Sequence, residues 1–167
     1  MSTASAITIR PATAEDIPVL LTLIRALARY ENAEDKVEAD EAMLRAEGFG
    51  ERPAFEAIIA FLDDRPAGFA LFFHNFSTWV GRRGLYVEDL FVEEWARGRR
   101  LGERLLAELA RIAVARGCRR LDLSVLSWNP ARAFYERIGL RHLDEWLPYR
   151  IEGEGLQVLA ARSPATG

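Results

Sequence analysis

The order of apolar runs predicts a mixed α/β (α+β) domain: a mostly antiparallel central sheet of about seven strands with about four helices. Three observations carry this expectation. Apolar runs bounded by turn residues follow one another at Phe55 to Leu62, Gly68 to Phe73 and Leu85 to Val92, as strands joined by hairpins do. A helical repeat then separates the third run from the alternating residues Leu121, Leu123 and Val125, so a parallel crossover adjoins the antiparallel strands. With 167 residues, 50% hydrophobic and 28% charged, the chain has enough apolar material for one core without staples. Residues 1–167 are expected to form a single domain whose core runs from about 7 to 162.

Each element follows from its local pattern. Ile7 and Ile9 alternate with polar residues before Arg10-Pro11, a short strand closed by proline. Thr13 is a candidate N-cap for a helix whose apolar face is Ile17, Leu20, Leu21, Ile24, Leu27 and Ala28, ending near Tyr30. An acidic connection, Glu31 to Glu41, leads into a second short helix that ends near Gly48. Asp63-Asp64-Arg65-Pro66 joins two strands, and Gly81-Arg82-Arg83-Gly84 precedes the third. Leu101, Leu105, Leu106, Leu109, Ile112 and Ala113 have helical spacing, with Gly117 as the C-terminal cap. Asn129-Pro130 opens a short helix that Gly139 closes. Trp146 to Ile151 and Leu156 to Ala161, separated by Glu152-Gly153-Glu154-Gly155, predict a final hairpin.

Composition excludes several function classes. With 22 Lys+Arg against 25 Asp+Glu, the net charge of -3 argues against a general nucleic-acid binder. One cysteine, Cys118, permits no disulfide within the chain and favours a reducing compartment. Two histidines, His74 and His142, make a His- or Cys-based metal site improbable. Met1 to Ala6 has no basic region or apolar run, and no later stretch approaches the roughly eighteen apolar residues of a membrane helix. The expectation is a cytoplasmic, metal-free protein.

Three features carry chemistry. Glu88 and Asp89 interrupt a strand, Leu85 to Val92, that is otherwise apolar on both faces. A buried carboxylate costs several kcal/mol, of order, unless it is paired or functional, so the segment is a core ion pair or the edge of a cleft. Adjacent side chains leave a regular strand on opposite faces, and both acids serve one site only if the strand bulges or splays. The second feature, Arg97-Gly98-Arg99-Arg100-Leu101-Gly102, lies between that strand and a long helix, where backbone N–H groups, the helix dipole and guanidinium groups suit a phosphate. An arginine-rich solvated turn is the plainer alternative. The third is Trp128-Asn129-Pro130 with Phe134-Tyr135 on the short helix; Phe134 and Ile138, four apart, share one face and leave Tyr135 on an adjoining one.

In this order the features resemble the GNAT superfamily of acetyl-CoA-dependent N-acetyltransferases, and within it the diamine (spermidine/spermine) and thialysine N-acetyltransferase group. The resemblance runs through Ile9-Arg10-Pro11-Ala12-Thr13, Ala28-Arg29-Tyr30-Glu31, Gly48-Phe49-Gly50, Trp79-Val80-Gly81, Tyr86 to Val92, Arg97-Gly98, and Trp128-Asn129 to Gly139. It implies strands splayed at an acetyl-CoA site and direct acetyl transfer to the primary amine of a small cationic, diamine- or polyamine-like substrate. It further implies Glu88 as base; Tyr30, Glu31, Trp79, Glu88 and Asp89 lining the amine; and Leu90, Phe91, Val92, Arg97, Gly98, Arg99, Arg100, Leu101, Gly102, Asn129, Ala133, Tyr135 and Arg137 holding acetyl-CoA. Tyr135 is also the implied general acid, and a homodimer the implied assembly.

Two positions depart from the pattern: Arg100 stands at a usual loop glycine, and Ser77-Thr78 where the diamine enzymes tend to carry an acid. Two alternatives accompany this expectation. One is acetylation of thialysine, another lysine analogue or another small amine, which Ser77 favours over long polyamines. The other is a CoA-binding regulatory module without catalysis. Nucleic-acid binding through Arg97, Arg99 and Arg100 is a distant third.

Overall fold

The computed structural model describes residues 6–164; the stretch Met1 to Ser5 and residues 165–167 lie outside them. The chain divides into two compact units at Leu126/Ser127. The first contains β1 (Ile7–Pro11), α1 (Ile17–Tyr30), α2 (Glu41–Phe49), β2 (Glu56–Leu62), β3 (Arg65–Ser77), β4 (Arg82–Val92), α3 (Leu101–Ala115) and β5 (Leu121–Leu123). The second contains α4 (Ala131–Arg137) and α5 (Gly153–Ala160).

The five strands form one open sheet in the order β1-β2-β3-β4-β5. β1 to β4 are antiparallel neighbours, and β5 joins β4 in parallel through Leu85↔Leu121, Tyr86↔Asp122 and Val87↔Leu123. This is the predicted mixture of hairpins with one crossover. Both faces of the sheet are covered. Leu20 and Leu23 of α1 pack with Ala57, Ile59, Phe69, Leu71 and Phe91. Strand alternation sends Ile58, Ala70, Phe72, Leu85 and Val87 to the opposite face, where α3 buries Leu101, Leu105, Leu106, Leu109 and Ala113.

The chain's entry into α1 is fixed by Asp16. Arg10 donates to both carboxylate oxygens, at 2.7 and 2.9 Å, and the Thr13 amide and hydroxyl add bonds of 2.8 and 3.1 Å. The carboxylate caps the 3-10 turn that leads into α1 and ties the turn to β1. The Arg10 guanidinium, aided by Thr13, holds the Asp16 carboxyl far below the usual range.

The strand count is five among the described residues, and the two missing strands are those of the expected final hairpin. Trp146 to Ile151 has no regular structure, and residues 153–160 form α5 instead. The physical reason is the spacing: Leu156, Leu159 and Ala160 repeat at helical intervals, and Val158-Leu159-Ala160-Ala161 lacks the alternation a half-buried strand needs. Glu152 is extended, Gly153 takes φ 57°, and Glu154 in the first turn suits the positive end of the helix. β5 also stops at Leu123, short of Val125.

Asp16→Asn is expected to cost about 2 kcal/mol at pH 7, a melting point about 4–8 °C lower. Because the folded carboxyl titrates below its ordinary 3.8, this stabilisation is present above that pH and is lost as pH falls beneath it. The gap between the two melts should therefore narrow as pH falls below 3.8; a gap as wide at pH 2 as at pH 7 contradicts the ion-pair account.

Candidate active site

Glu88 is an extra residue in β4. Leu71 of β3 pairs with Asp89 and the next residue, Phe72, pairs with Val87, so Glu88 has no partner. The bulge reverses the strand's phase. In a regular strand Leu85, Val87, Asp89 and Phe91 would share one face. Here Val87 follows Phe72 onto the α3 side, whereas Asp89 follows Leu71 onto the α1 side.

That side holds the end of α1. Tyr30 packs against Phe91, with ring centroids 6.4 Å apart and planes at 49°, and Glu31 follows as the helix cap. The sheet thereby gathers Tyr30, Glu31, Glu88 and Asp89. Burial pushes the Asp89 carboxyl up to about 6, reinforced by the negative charges of Glu88 and then Glu31. Burial also raises Glu31. Among the described residues no three His, Cys, Asp or Glu side chains converge as a metal-ligand set. The cluster attracts cations, and Asp89 and Glu31 in it hold a proton more readily than isolated carboxylates do.

The bulge also lies where the sheet opens. β5 follows β4 only as far as Val87↔Leu123, and Tyr86 Oη with Ser124 Oγ, 2.8 Å apart, ties the two strands at that point. Beyond it, no described strand pairs with this edge of β4. The Phe91 carbonyl faces β3, so close to Gly68 that a Cβ there would lie 2.5 Å from it, and the Glu93 amide donates to Ala67. Alternation then directs the amides of Leu90 and Val92 toward the open edge. Of the three predicted backbone donors, two face the gap.

The arginine loop turns from β4 into α3. Gly98 and Arg100 have φ of 78° and 60°, and positive φ at alternate residues turns successive peptide groups as an anion-binding concavity requires. Arg100 adopts the left-handed conformation despite its Cβ, at a cost of order 1 kcal/mol, and pairs outward with Glu103 at 3.1 Å. Leu101 is buried and anchors the loop, so only its backbone is available to a ligand. Gly102 is the second residue of the 15-residue helix, whose leading N–H groups have no intrahelical acceptors. The segment fits a phosphate group: exposed guanidinium side chains at Arg97, Arg99 and Arg100 surround a helix N-terminus.

Trp79 is placed differently. It sits on the β3–β4 turn, 95% exposed, about 20 Å along β4 from Glu88 by strand rise. Within one chain the structure does not bring it to the acids. In the second unit, Asn129 Oδ1 accepts from the Ala131 amide at 2.9 Å and caps α4. Tyr135 is half-buried beside Phe134, at 5.3 Å between centroids, and the Arg137 guanidinium lies over Phe134 at 5.5 Å. Ala133 is exposed on the same helix. Sequence reasoning missed the tie between Tyr86 of β4 and Ser124 just beyond β5; a hydroxyl on each of two neighbouring apolar stretches was the available signal.

Comparison with known proteins agrees with this architecture. Residues 21–140 match the model of the Acetyltransferase (GNAT) family. A thialysine N-epsilon-acetyltransferase of Bos taurus is 37% identical, covering 92% of this chain and 97% of its own. A human spermidine/spermine N(1)-acetyltransferase-like protein 1 is 32% identical over 91% of this chain and 23% of its own length. The solved structure of an integron cassette protein from the mobile metagenome of V. cholerae superposes with a TM-score of 0.80 at 32% identity, covering 96% of this chain and 100% of that one. The match over most of the sheet, the bulged strand and the arginine loop places this chain in the acetyltransferase (GNAT) family.

Proposed function

We propose that the protein transfers an acetyl group from acetyl-CoA to the primary amine of a small cationic substrate, by direct attack with both substrates bound. The observation that carries this is the bulge at Glu88, which sets Glu88, Asp89 and Glu31 at one side of the open end of β4 while α3 begins at the other. Carboxylates suit an ammonium group; the Arg97–Gly102 loop suits a pyrophosphate. The relatives' thialysine and spermidine/spermine names fit such an amine, and thialysine is the first candidate because Ser77-Thr78 provides no acid for a long polyamine.

A lysine-like ammonium with a pKa of about 10.4 is neutral in roughly one molecule in 2,500 at pH 7, a cost of about 4.6 kcal/mol. Glu88, exposed beside the gap, is assigned as the base that removes this proton, through an ordered water. Asp89 and Glu31 hold the ammonium before it is lost, with the Tyr30 ring as an apolar and cation-binding wall. Acetyl-CoA supplies the activated acyl group, with Arg97, Gly98, Arg99, Arg100, Leu101 and Gly102 assigned to its pyrophosphate. The amides of Leu90 and Val92 are assigned to stabilise the charge that develops on the carbonyl oxygen. Asn129, Ala133 and Arg137 are assigned to the remainder of CoA, and Tyr135 to protonating the departing sulfur. The single Cys118 supports a reducing, cytoplasmic setting. A homodimer is proposed on the exposed aromatic and apolar side chains Trp146, Leu147 and Tyr149, which are 72%, 72% and 92% exposed.

Free-CoA release measured with spermidine, putrescine, thialysine, lysine and a lysine-containing peptide should select one amine class. Glu88→Gln should lower its kcat by about 10²–10³-fold; unchanged turnover removes Glu88 as base. Asp89 gives an independent check. Its folded pKa of about 6 exceeds its ordinary 3.8, so its contribution to stability is present in acid and is lost as pH rises through about 6. Asp89→Asn should therefore melt higher than wild type at pH 8 and equal to it near pH 4. A lower melting point at pH 8 would mean that a cation pairs with the carboxylate. Sedimentation equilibrium tests assembly, with a mass near twice 18.8 kDa expected and a monomer overturning the dimer.

A further inference from the structure

Arg97 makes two contacts that anion binding does not require. Its Nε donates to the Val92 carbonyl at 3.1 Å, and its guanidinium carbon lies 4.7 Å from the centre of the Tyr30 ring. Phe91 packs against the same ring. The Arg97 guanidinium therefore covers aromatic surface beside Glu31, where the substrate ammonium is proposed to dock. The side chain is exposed and carried by a flexible stem. A solvent-exposed guanidinium stacked on a half-buried ring is weakly held, whereas one facing a phosphate makes paired, charge-assisted hydrogen bonds. Two partners thus compete for one side chain, and the anionic partner wins.

We propose that Arg97 is a cationic placeholder: it covers Tyr30 in the CoA-free protein, leaves for the pyrophosphate when CoA binds, and thereby clears the aromatic surface for the amine. The inference rests on the assignment of the two substrates above and adds an order to their binding. Because coupling between two binding sites is reciprocal, the amine must tighten CoA by the factor with which CoA tightens the amine. An exposed cation–π contact of ordinary strength sets that factor at about three- to fivefold.

Titration calorimetry with free CoA, which carries no acetyl group to transfer, measures this coupling without turnover. Thialysine and spermidine serve as the amines. Wild type should bind its amine about three- to fivefold more tightly with saturating CoA than without. In Arg97→Met the ratio should fall to about one, because the CoA-free variant already binds the amine as CoA-loaded wild type does. Tyr30→Leu, which leaves Arg97 without its ring, should bind CoA about three- to fivefold more tightly than wild type, a gain that misfolding would not produce; Tyr30→Phe should restore the wild-type value. A coupling ratio unchanged in Arg97→Met, or weaker CoA binding by Tyr30→Leu, overturns the placeholder. If neither amine binds CoA-loaded wild type, the amine assignment fails, and the Arg97 Nε–H NMR resonance decides the rest. Ring-shifted without CoA and moving away with it, the resonance supports the exchange; one that stays under the ring with CoA bound overturns it.

Discussion

One unpaired residue sets the phase of the strand on which the site depends. Without Glu88 as a bulge, β4 would keep Leu85, Val87, Asp89 and Phe91 on one face, and the core of one side of the sheet would contain an acid. With it, Leu85 and Val87 fill the α3 side, while Phe91 joins the α1 core and Asp89 meets the end of α1. A single insertion thus satisfies two cores and leaves two consecutive carboxylates near each other. The parallel partner β5 ends within a residue of this position, so the phase change, the acids and the opening of the sheet coincide.

The coincidence has an electrostatic cost. The charges acting on Asp89 are those of Glu88 and Glu31, all of one sign, and burial adds to their effect. Elsewhere the chain pairs its carboxylates well: Asp16 with Arg10, Glu34 with Arg29, Glu56 with Arg116, Glu108 with Arg111. The contrast between a paired framework and an uncompensated cluster separates groups that stabilise the fold from groups that await a cation. Arg100 adds a smaller cost of the same kind, a left-handed residue with a side chain at the start of α3.

Much of this was legible in the sequence, because strands β1 to β4 and helices α1 and α3 are specified by apolar spacing that tertiary packing reinforces. The chain's oddities were visible too: Glu88-Asp89 in an apolar strand could serve one site only with a bulge or splay, and the bulge is present. The position of Trp79 was not legible, since family resemblance places a residue type in a list while strand length decides where it lies. The final hairpin was misjudged because glycines on either side of Glu154 suggest a turn, yet Gly153 in a left-handed conformation starts a helix as readily. The stacking of Arg97 on Tyr30 joins residues 67 positions apart, a distance over which no local pattern carries information.

The arrangement of charge constrains the acceptor more than its size does. Acids lie on the α1 side of the end of β4 and arginines follow it into α3, with the amides of Leu90 and Val92 between them. On the proposed assignment an acceptor must be cationic near its reacting nitrogen, whereas any anionic group it carries must lie several bonds away from Glu31, Glu88 and Asp89. A lysine-like amino acid meets this condition, since its α-carboxylate is separated from the terminal amine by the length of the side chain. An α-amine adjacent to its own carboxylate does not, because at about 4 Å two like charges repel by about 1 kcal/mol even in water and more beside a low-dielectric wall. Selection of terminal over α-amines then follows from charge placement alone, without a pocket shaped to one carbon skeleton.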